Sequence, residues 1–207
     1  MKKYELTAEF IEKWGKKLFR IKALISFGNV EAGELGGYVE KEDNLAQDDN
    51  AWVHGNARVF GNARVCDDAE VCDDAEVFGN ARVCGNARVF GNARVCDDAE
   101  VCGNARVCDD ARVCGNARVY GDADYLLIGR IGSRFSFTTF FKNKDKGITV
   151  SCGCFLGTIA EFRAKVSDTH GNNKHAKIYN LAADMAELQI LGEEHFENLN
   201  TNKSEPF

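Results

Sequence analysis

Proline is nearly missing from this chain: Pro206 stands alone in 207 residues that hold 20 glycines, so no proline-rich linker divides it. Long apolar runs are missing too. Apolar residues make up 44% and charged residues 28%, and no stretch approaches the roughly 18 consecutive apolar residues that cross a bilayer as a helix. The opening Met1-Lys2-Lys3-Tyr4-Glu5-Leu6 leads into mixed polar sequence without the apolar stretch or small-residue cleavage site of a secretory signal, which predicts a cytoplasmic, reducing setting and no membrane partner. Nine cysteines, an odd number, then predict free thiols rather than a disulfide framework. A chain of this length buries a sizeable core without staples.

Charge is uneven. Residues 1–46 carry eight basic against eight acidic side chains, residues 47–124 eight against 15, and residues 125–207 ten against nine. The middle segment therefore holds the excess acid, net −7 of the chain's −6. Such a segment repels phosphate backbones, which argues against direct nucleic-acid binding by it and suits a basic protein partner.

The dominant signal is internal repetition. Valine recurs every six residues without a break from Val53 through Val59, Val65 and onward to Val119, and alanine keeps the same step from Ala51 to Ala123, each two residues before its valine. A separation of two puts both on one face of a short strand, with the intervening Arg or Glu outward. The remaining pairs, Gly-Asn or Asp-Asp, are turn formers that tolerate left-handed backbone angles. A period of six matches no helix, and a glycine every other hexad would cost a helix about 1 kcal/mol each. Regular buried valine also excludes disorder. The pattern predicts a parallel β-solenoid that closes on three faces, 18 residues per coil, with residues 47–124 making about 4.3 coils and roughly 21 Å of prism.

Val-Cys-Gly-Asn-Ala-Arg and Val-Phe-Gly-Asn-Ala-Arg resemble the hexapeptide repeats of left-handed parallel β-helix proteins. Leu18-Phe19-Arg20-Ile21-Lys22-Ala23-Leu24, Gly36-Gly37-Tyr38-Val39-Glu40, Asn44-Leu45 and Asn50-Ala51-Trp52-Val53 more narrowly resemble the opening segment of bacterial and prophage hexapeptide-repeat proteins. The resemblance spans about residues 18–124. It implies a single-stranded left-handed winding in a mainly β fold and says almost nothing about function.

Residues 18 apart stack, which lets the outer columns be read directly. Between alanine and valine the faces carry Arg58, Glu76, Arg94, Arg112; Arg64, Arg82, Glu100, Arg118; and Glu70, Arg88, Arg106, Asp124. After valine stand Phe60, Phe78, Cys96, Cys114; Cys66, Cys84, Cys102, Tyr120; and His54, Cys72, Phe90, Cys108. These last columns are either exposed apolar ridges, of the kind that mark interaction sites, or side chains tucked into the core. Cysteines one rung apart would bring Cα atoms within disulfide range at about 4.8 Å. A metal ladder lacks the usual paired ligand spacing.

Four Asp-Asp pairs, Asp67-Asp68, Asp73-Asp74, Asp97-Asp98 and Asp109-Asp110, are the candidate partner-binding residues. Only the second and fourth share a corner. They lie two coils apart, about 9.6 Å, too far to share a calcium ion whose ligands sit at about 2.4 Å.

Residues 1–46 predict a strand-rich cap, with a strand over Leu18 to Ile25, a turn at Trp14-Gly15-Lys16-Lys17, and a helix over Ala8 to Lys16 as an alternative. Residues 125–207 predict a small α+β module: strands from Tyr125, Ser136 and Ile148 (the last to Cys154), a helix opened by the capping box Thr158-Ile159-Ala160-Glu161, and a second helix marked by Ile178, Leu181, Met185 and Leu188. Cys152-Gly153-Cys154-Phe155, followed by a helix and His170-Gly171, resembles a module of phage proteins. Alternation places Cys152 and Cys154 on one strand face beside a helix N-terminus, a setting for a thiol site with His170; with His175 the same residues could hold zinc, and otherwise they are small core residues.

Three functions follow. The first is a non-catalytic phage-type binding protein that presents a rigid acidic surface to a basic nucleic-acid-binding complex by mimicry, needs no cofactor, and could form a homo-oligomer. The second is a hexapeptide acyltransferase, disfavoured because the hexads throw out no loop and hold a single histidine, His54. The third is the thiol or metal site of the C-terminal module.

Overall fold

The computed structural model of the protein describes residues 1–193, which fall into two compact units, Met1–Asp122 and a second that begins at Ala123. The first unit opens with strands β1 (Tyr4–Lys13), β2 (Lys16–Ala23) and β3 (Leu35–Val39) and a short 3₁₀ turn at Glu42–Asn44. Twelve two-residue strands follow, β4 to β15: Trp52–Val53, Arg58–Val59, Arg64–Val65, Glu70–Val71, Glu76–Val77, Arg82–Val83, Arg88–Val89, Arg94–Val95, Glu100–Val101, Arg106–Val107, Arg112–Val113 and Arg118–Val119.

These form a parallel β-solenoid. Glu70 pairs with Arg88 and Arg88 with Arg106, Glu76 with Arg94, Arg82 with Glu100, each 18 residues on, so the three stacked faces are those read from the repeat. Every repeat valine and alanine from Ala51 to Val119 is essentially inaccessible to solvent. Two small side chains per hexad fill the bore of a three-cornered coil, and burial of each valine contributes about 1.5–3 kcal/mol.

The ladder begins one coil before the unbroken hexads. Tyr38 and Val39 pair with Arg58 and Val59, and Leu45 bridges to Val65, giving about five turns. This first coil has a step of 20: Val39 to Leu45 spends six residues like Val59 to Val65, while Leu45 to Val53 spends eight where Val65 to Val71 spends six, so the two extra residues lie between Leu45 and Val53. At the 3₁₀ corner buried Asn44 donates from Nδ2 to the carbonyls of Gly61 and Ala63 at 3.2 and 2.8 Å. β1 and β2 extend the same sheet antiparallel, β1-β2-β3-β5, and cover its first edge. The alternative helix over Ala8 to Lys16 does not form: cross-strand pairing takes up the β1 backbone, and left-handed Trp14 and Gly15 make the turn. Trp14 then meets Phe60 and Phe78 edge-on, at 5.3 and 5.1 Å between ring centres. Gly36 is required where β2 and β4 converge, since a Cβ there would lie 2.6 Å from Ile21 Cγ1 and 2.7 Å from Trp52 Cζ2.

The corners explain the choice of Gly or Asp. The first residue of each is left-handed, including Asp67, Asp73, Asp97 and Asp109 at φ of 60, 59, 58 and 57°. Its amide lies outside the ladder, and where an Asp sits one rung earlier the carboxylate accepts that amide: Asp67 from Gly85 at 2.9 Å, Asp73 from Gly91 at 2.9 Å, Asp97 from Gly115 at 3.0 Å. The second residue forms a side-chain ladder, with Asn50 donating to Asp68 and Asn80 to Asp98.

The second unit holds an antiparallel sheet of β16 (Tyr125–Ile131), β17 (Ser136–Lys142), β18 (Ile148–Cys152) and β19 (Phe155–Thr158), with α1 (Ile159–His170) and α2 (Lys174–Leu191). The capping box is formed, Thr158 Oγ1 accepting from Glu161 N and Glu161 accepting from Thr158 N. Its core joins Phe140, Val150, Phe162, Tyr179, Ala183 and Ala186. The expected stripe of α2 faces outward instead, with Leu181 and Met185 63% and 57% exposed; the face that packs carries Ala176, Tyr179, Ala182, Ala183, Ala186 and Ile190. Arg163 of α1 clamps the two helices, donating to Asp184 and Glu187 at 2.7 Å each.

The corner geometry sets a sharp contrast between adjacent aspartates. Asp67→Ala should lower stability by about 1–2 kcal/mol, combining left-handed strain with a lost hydrogen bond. Asp68→Ala should change it by less than about 0.5 kcal/mol. Asp67→Gly should recover most of the strain, all three read by urea unfolding.

Candidate interaction surface

The solenoid sorts its charge. Outward positions of the flat faces carry eight arginines against three glutamates, while all twelve aspartates of residues 47–124 lie off the faces, in the corners and the chain at either end. Each face glutamate is paired: Glu70 with Arg88 at 2.9 Å, Glu100 with Arg118 at 3.2 Å, and buried Glu76 with Lys13, Arg58 and Arg94 at 2.6, 3.2 and 3.3 Å. The acid excess is therefore an edge property. Asp67, Asp68, Asp73, Asp74, Asp97, Asp98, Asp109 and Asp110 are all exposed, and the first of each pair also serves the backbone.

The columns after valine are neither free ridges nor core. Phe60 is buried beneath Trp14, Cys96 is buried, Tyr120 is half-exposed, and the rest lie between. One expectation fails here. Cys84 and Cys102 form a disulfide with Cα atoms 4.7 Å apart, because the 18-residue step sets stacked thiols at bonding distance. Two further groups of donors converge among the described residues, His54 with Glu70 and Cys72, and Cys96 with Asp97 and Cys114.

In the second unit Cys152, Cys154 and His170 line one cavity of about 210 Å³, together with Arg134, Lys165 and Tyr179. Two details of the sequence reading change. β18 ends at Cys152, and exposed Cys154 belongs to the tight turn with left-handed Gly153, so the two thiols are not partners on a strand. β19 then runs back along β18, pairing Thr158 with Thr149 and carrying the α1 N-terminus away from Cys152; the cavity meets the C-terminal half of α1 instead. The Cys152 thiol accepts from Thr138 Oγ1 at 3.2 Å, and burial with the neighbouring thiol pushes the Tyr179 hydroxyl up to about 12. Stacked on Tyr179 at 5.8 Å between ring centres, His170 also lies 5.7 Å from the His175 ring. The donors of Cys152, Cys154 and His170 are not among the groups that converge closely enough to share an ion.

The positions of the charges could be read from the repeat; the exposure of the corners and the partner of each face glutamate could not. The signal was the strict placement of Asp at the turn positions and Arg or Glu between alanine and valine.

A family model described as the YdcK beta solenoid repeat matches residues 81–97 and 111–123, within the ladder. No curated protein matches the chain.

The cross-rung disulfide closes an 18-residue step, for which chain entropy gives about 3 kcal/mol. A phosphine reductant should lower the melting midpoint of the wild type and leave that of Cys84→Ser unchanged; equal shifts in both would deny the bond a role.

Proposed function

We propose that the protein is a non-catalytic binding scaffold whose solenoid presents carboxylates fixed at its corners to a basic macromolecular partner. The supporting observation is the sorting of acid to the edges of an unbroken ladder, where twelve aspartates sit outside the arginine-bearing faces. Carboxylates held on a stiff column need no ordering when a partner docks, which removes part of the entropic cost of binding. Anions held in fixed positions on a rigid column are what a phosphate-binding groove recognises, so mimicry of a nucleic-acid backbone toward a nucleic-acid-binding complex is the concrete form of the reading. Left-handed winding and prophage type belong to the same proposal and rest on the sequence resemblance; inhibition of a host defence complex rests on the acidic surface, and action in the cytoplasm on the polar opening of the sequence. The acyltransferase reading is weaker: from Val53 to Val119 the rungs follow one another without the extruded loop that reading needs.

The test replaces all four Asp-Asp corners by Gly-Asn, the pair already present at other corners, and captures partners from nuclease-treated bacterial lysate. The expected result is a basic protein held in stoichiometric amount, displaced by duplex DNA, weakened by salt and lost with the corner variant. A captured protein indifferent to DNA and to the corner replacement, or none captured, would overturn the proposal.

A further inference from the structure

The column His54, Cys72, Phe90, Cys108 begins with a histidine directly on a cysteine. His54 N donates to the Val71 carbonyl at 2.8 Å, so the imidazole and the Cys72 thiol project from adjacent rungs on one outer face. Glu70, two residues before Cys72 on the same strand, projects outward beside them. One donor atom of each, a ring nitrogen, a thiol sulfur and a carboxylate oxygen, lies within 4.8 Å of the other two. Tetrahedral zinc with bonds of about 2.0–2.3 Å spaces its ligands by about 3.5 Å. Side-chain rotations of about 1 Å close that gap without moving the ladder. We propose that His54, Glu70 and Cys72 form a binding site for a divalent transition metal of the zinc class.

The surroundings suit this assignment. Neither ring nitrogen of His54 is used in a side-chain hydrogen bond to the described residues, and burial lowers its pKa, so the ring is neutral with a lone pair to give. Glu70 Oε2 is held by Arg88 Nε at 2.9 Å, which orients the carboxylate, and Arg88 also hydrogen-bonds the Cys72 thiol, a contact that the metal would replace. Burial pushes the Cys72 thiol up to about 11; the sulfur–metal bond forms as that proton passes to solvent. A cavity of about 420 Å³ lined by Asn29, Asp73, Phe90 and Arg106 adjoins the three donors and gives room for a water as fourth ligand. Imidazole, carboxylate and thiolate together favour zinc or cobalt over calcium or magnesium, which take oxygen alone. The other converging group differs: Cys96 and Cys114 are not joined in a disulfide, their thiols interact one rung apart beside Asp97, and the group holds no histidine.

Cobalt(II) is the probe, added to the metal-free full chain in a phosphine reductant. One equivalent should bind, with a thiolate-to-cobalt charge-transfer band in the near ultraviolet and visible bands of a tetrahedral ion. Cys72→Ser should abolish the charge-transfer band, His54→Ala and Glu70→Gln should each weaken binding at least about tenfold, and Cys96→Ser/Cys114→Ser should leave both unchanged. Far-ultraviolet circular dichroism checks that each variant keeps the ladder, and the three separate substitutions keep the test open if one fails to fold. The proposal is overturned by absence of the band in the wild type, by its survival in Cys72→Ser, by unaltered affinity in His54→Ala, or by its loss in the Cys96→Ser/Cys114→Ser variant.

Discussion

Each solenoid rung is tied to the next by amides that donate to the carbonyl 17 residues on: Arg58 to Ala75, Phe60 to Val77, Arg64 to Ala81, Glu70 to Ala87. That fixed step is the constraint on which the unit depends. From Val53 on it obliges every coil to spend the same number of residues, turn at the same three places, and fill the bore with alanine and valine, whereas the first coil sets Leu45 in the valine column. A residue gained or lost inside a coil would move every later valine off its column. Where the chain does depart from the step, in the first coil, a buried asparagine side chain takes over the bonds that the repeat would have made.

The same constraint shapes the surface. A left-handed residue at each corner leaves an amide that no rung accepts, and a carboxylate one rung back is the simplest acceptor, so aspartate collects at edges for reasons of backbone satisfaction before any partner is involved. On the faces, arginine stacks beside glutamate at several rungs, while Arg64 on Arg82, Arg88 on Arg106 and Arg94 on Arg112 set like charges in register. A binding surface of sorted charge thus arises from the mechanics of coil closure, and the rigidity that makes it useful comes from the same bonds. Thiols stacked at the rung spacing follow the rule as well, meeting as a disulfide at Cys84 and Cys102 and as mixed donors at His54 and Cys72.

Much of the ladder was legible because a period of six survives in the sequence as identity of residue type, and stacked pairs follow by counting 18. The first coil was not, since two extra residues between Leu45 and Val53 break the count of 18, and Asn44 serves two carbonyls that only the folded coil brings near. The first aspartate of a corner could be read as a turn former but not as an acceptor for the glycine 18 residues later, which needs the direction of the amide. In α2 the sequence offers two apolar stripes, Ile178-Leu181-Met185-Leu188 and the alanine-rich face through Tyr179 and Ala183. The larger side chains mark the first stripe, while the face that packs is the second, with Tyr179 and Ile190 among its alanines. Cys152, Cys154 and His170 do meet at one cavity, although a short strand absent from the sequence reading reverses which end of α1 lies near them.

Native-state hydrogen exchange measures the rung-to-rung bonds most directly. If the fixed step governs the unit, the amides of Arg58, Arg64, Glu70, Glu76, Arg82, Arg88 and Arg94 will exchange only through a shared opening, with one free energy close to that of global unfolding. Hexads that open independently, with exchange free energies that scatter well below the global value, would contradict the account.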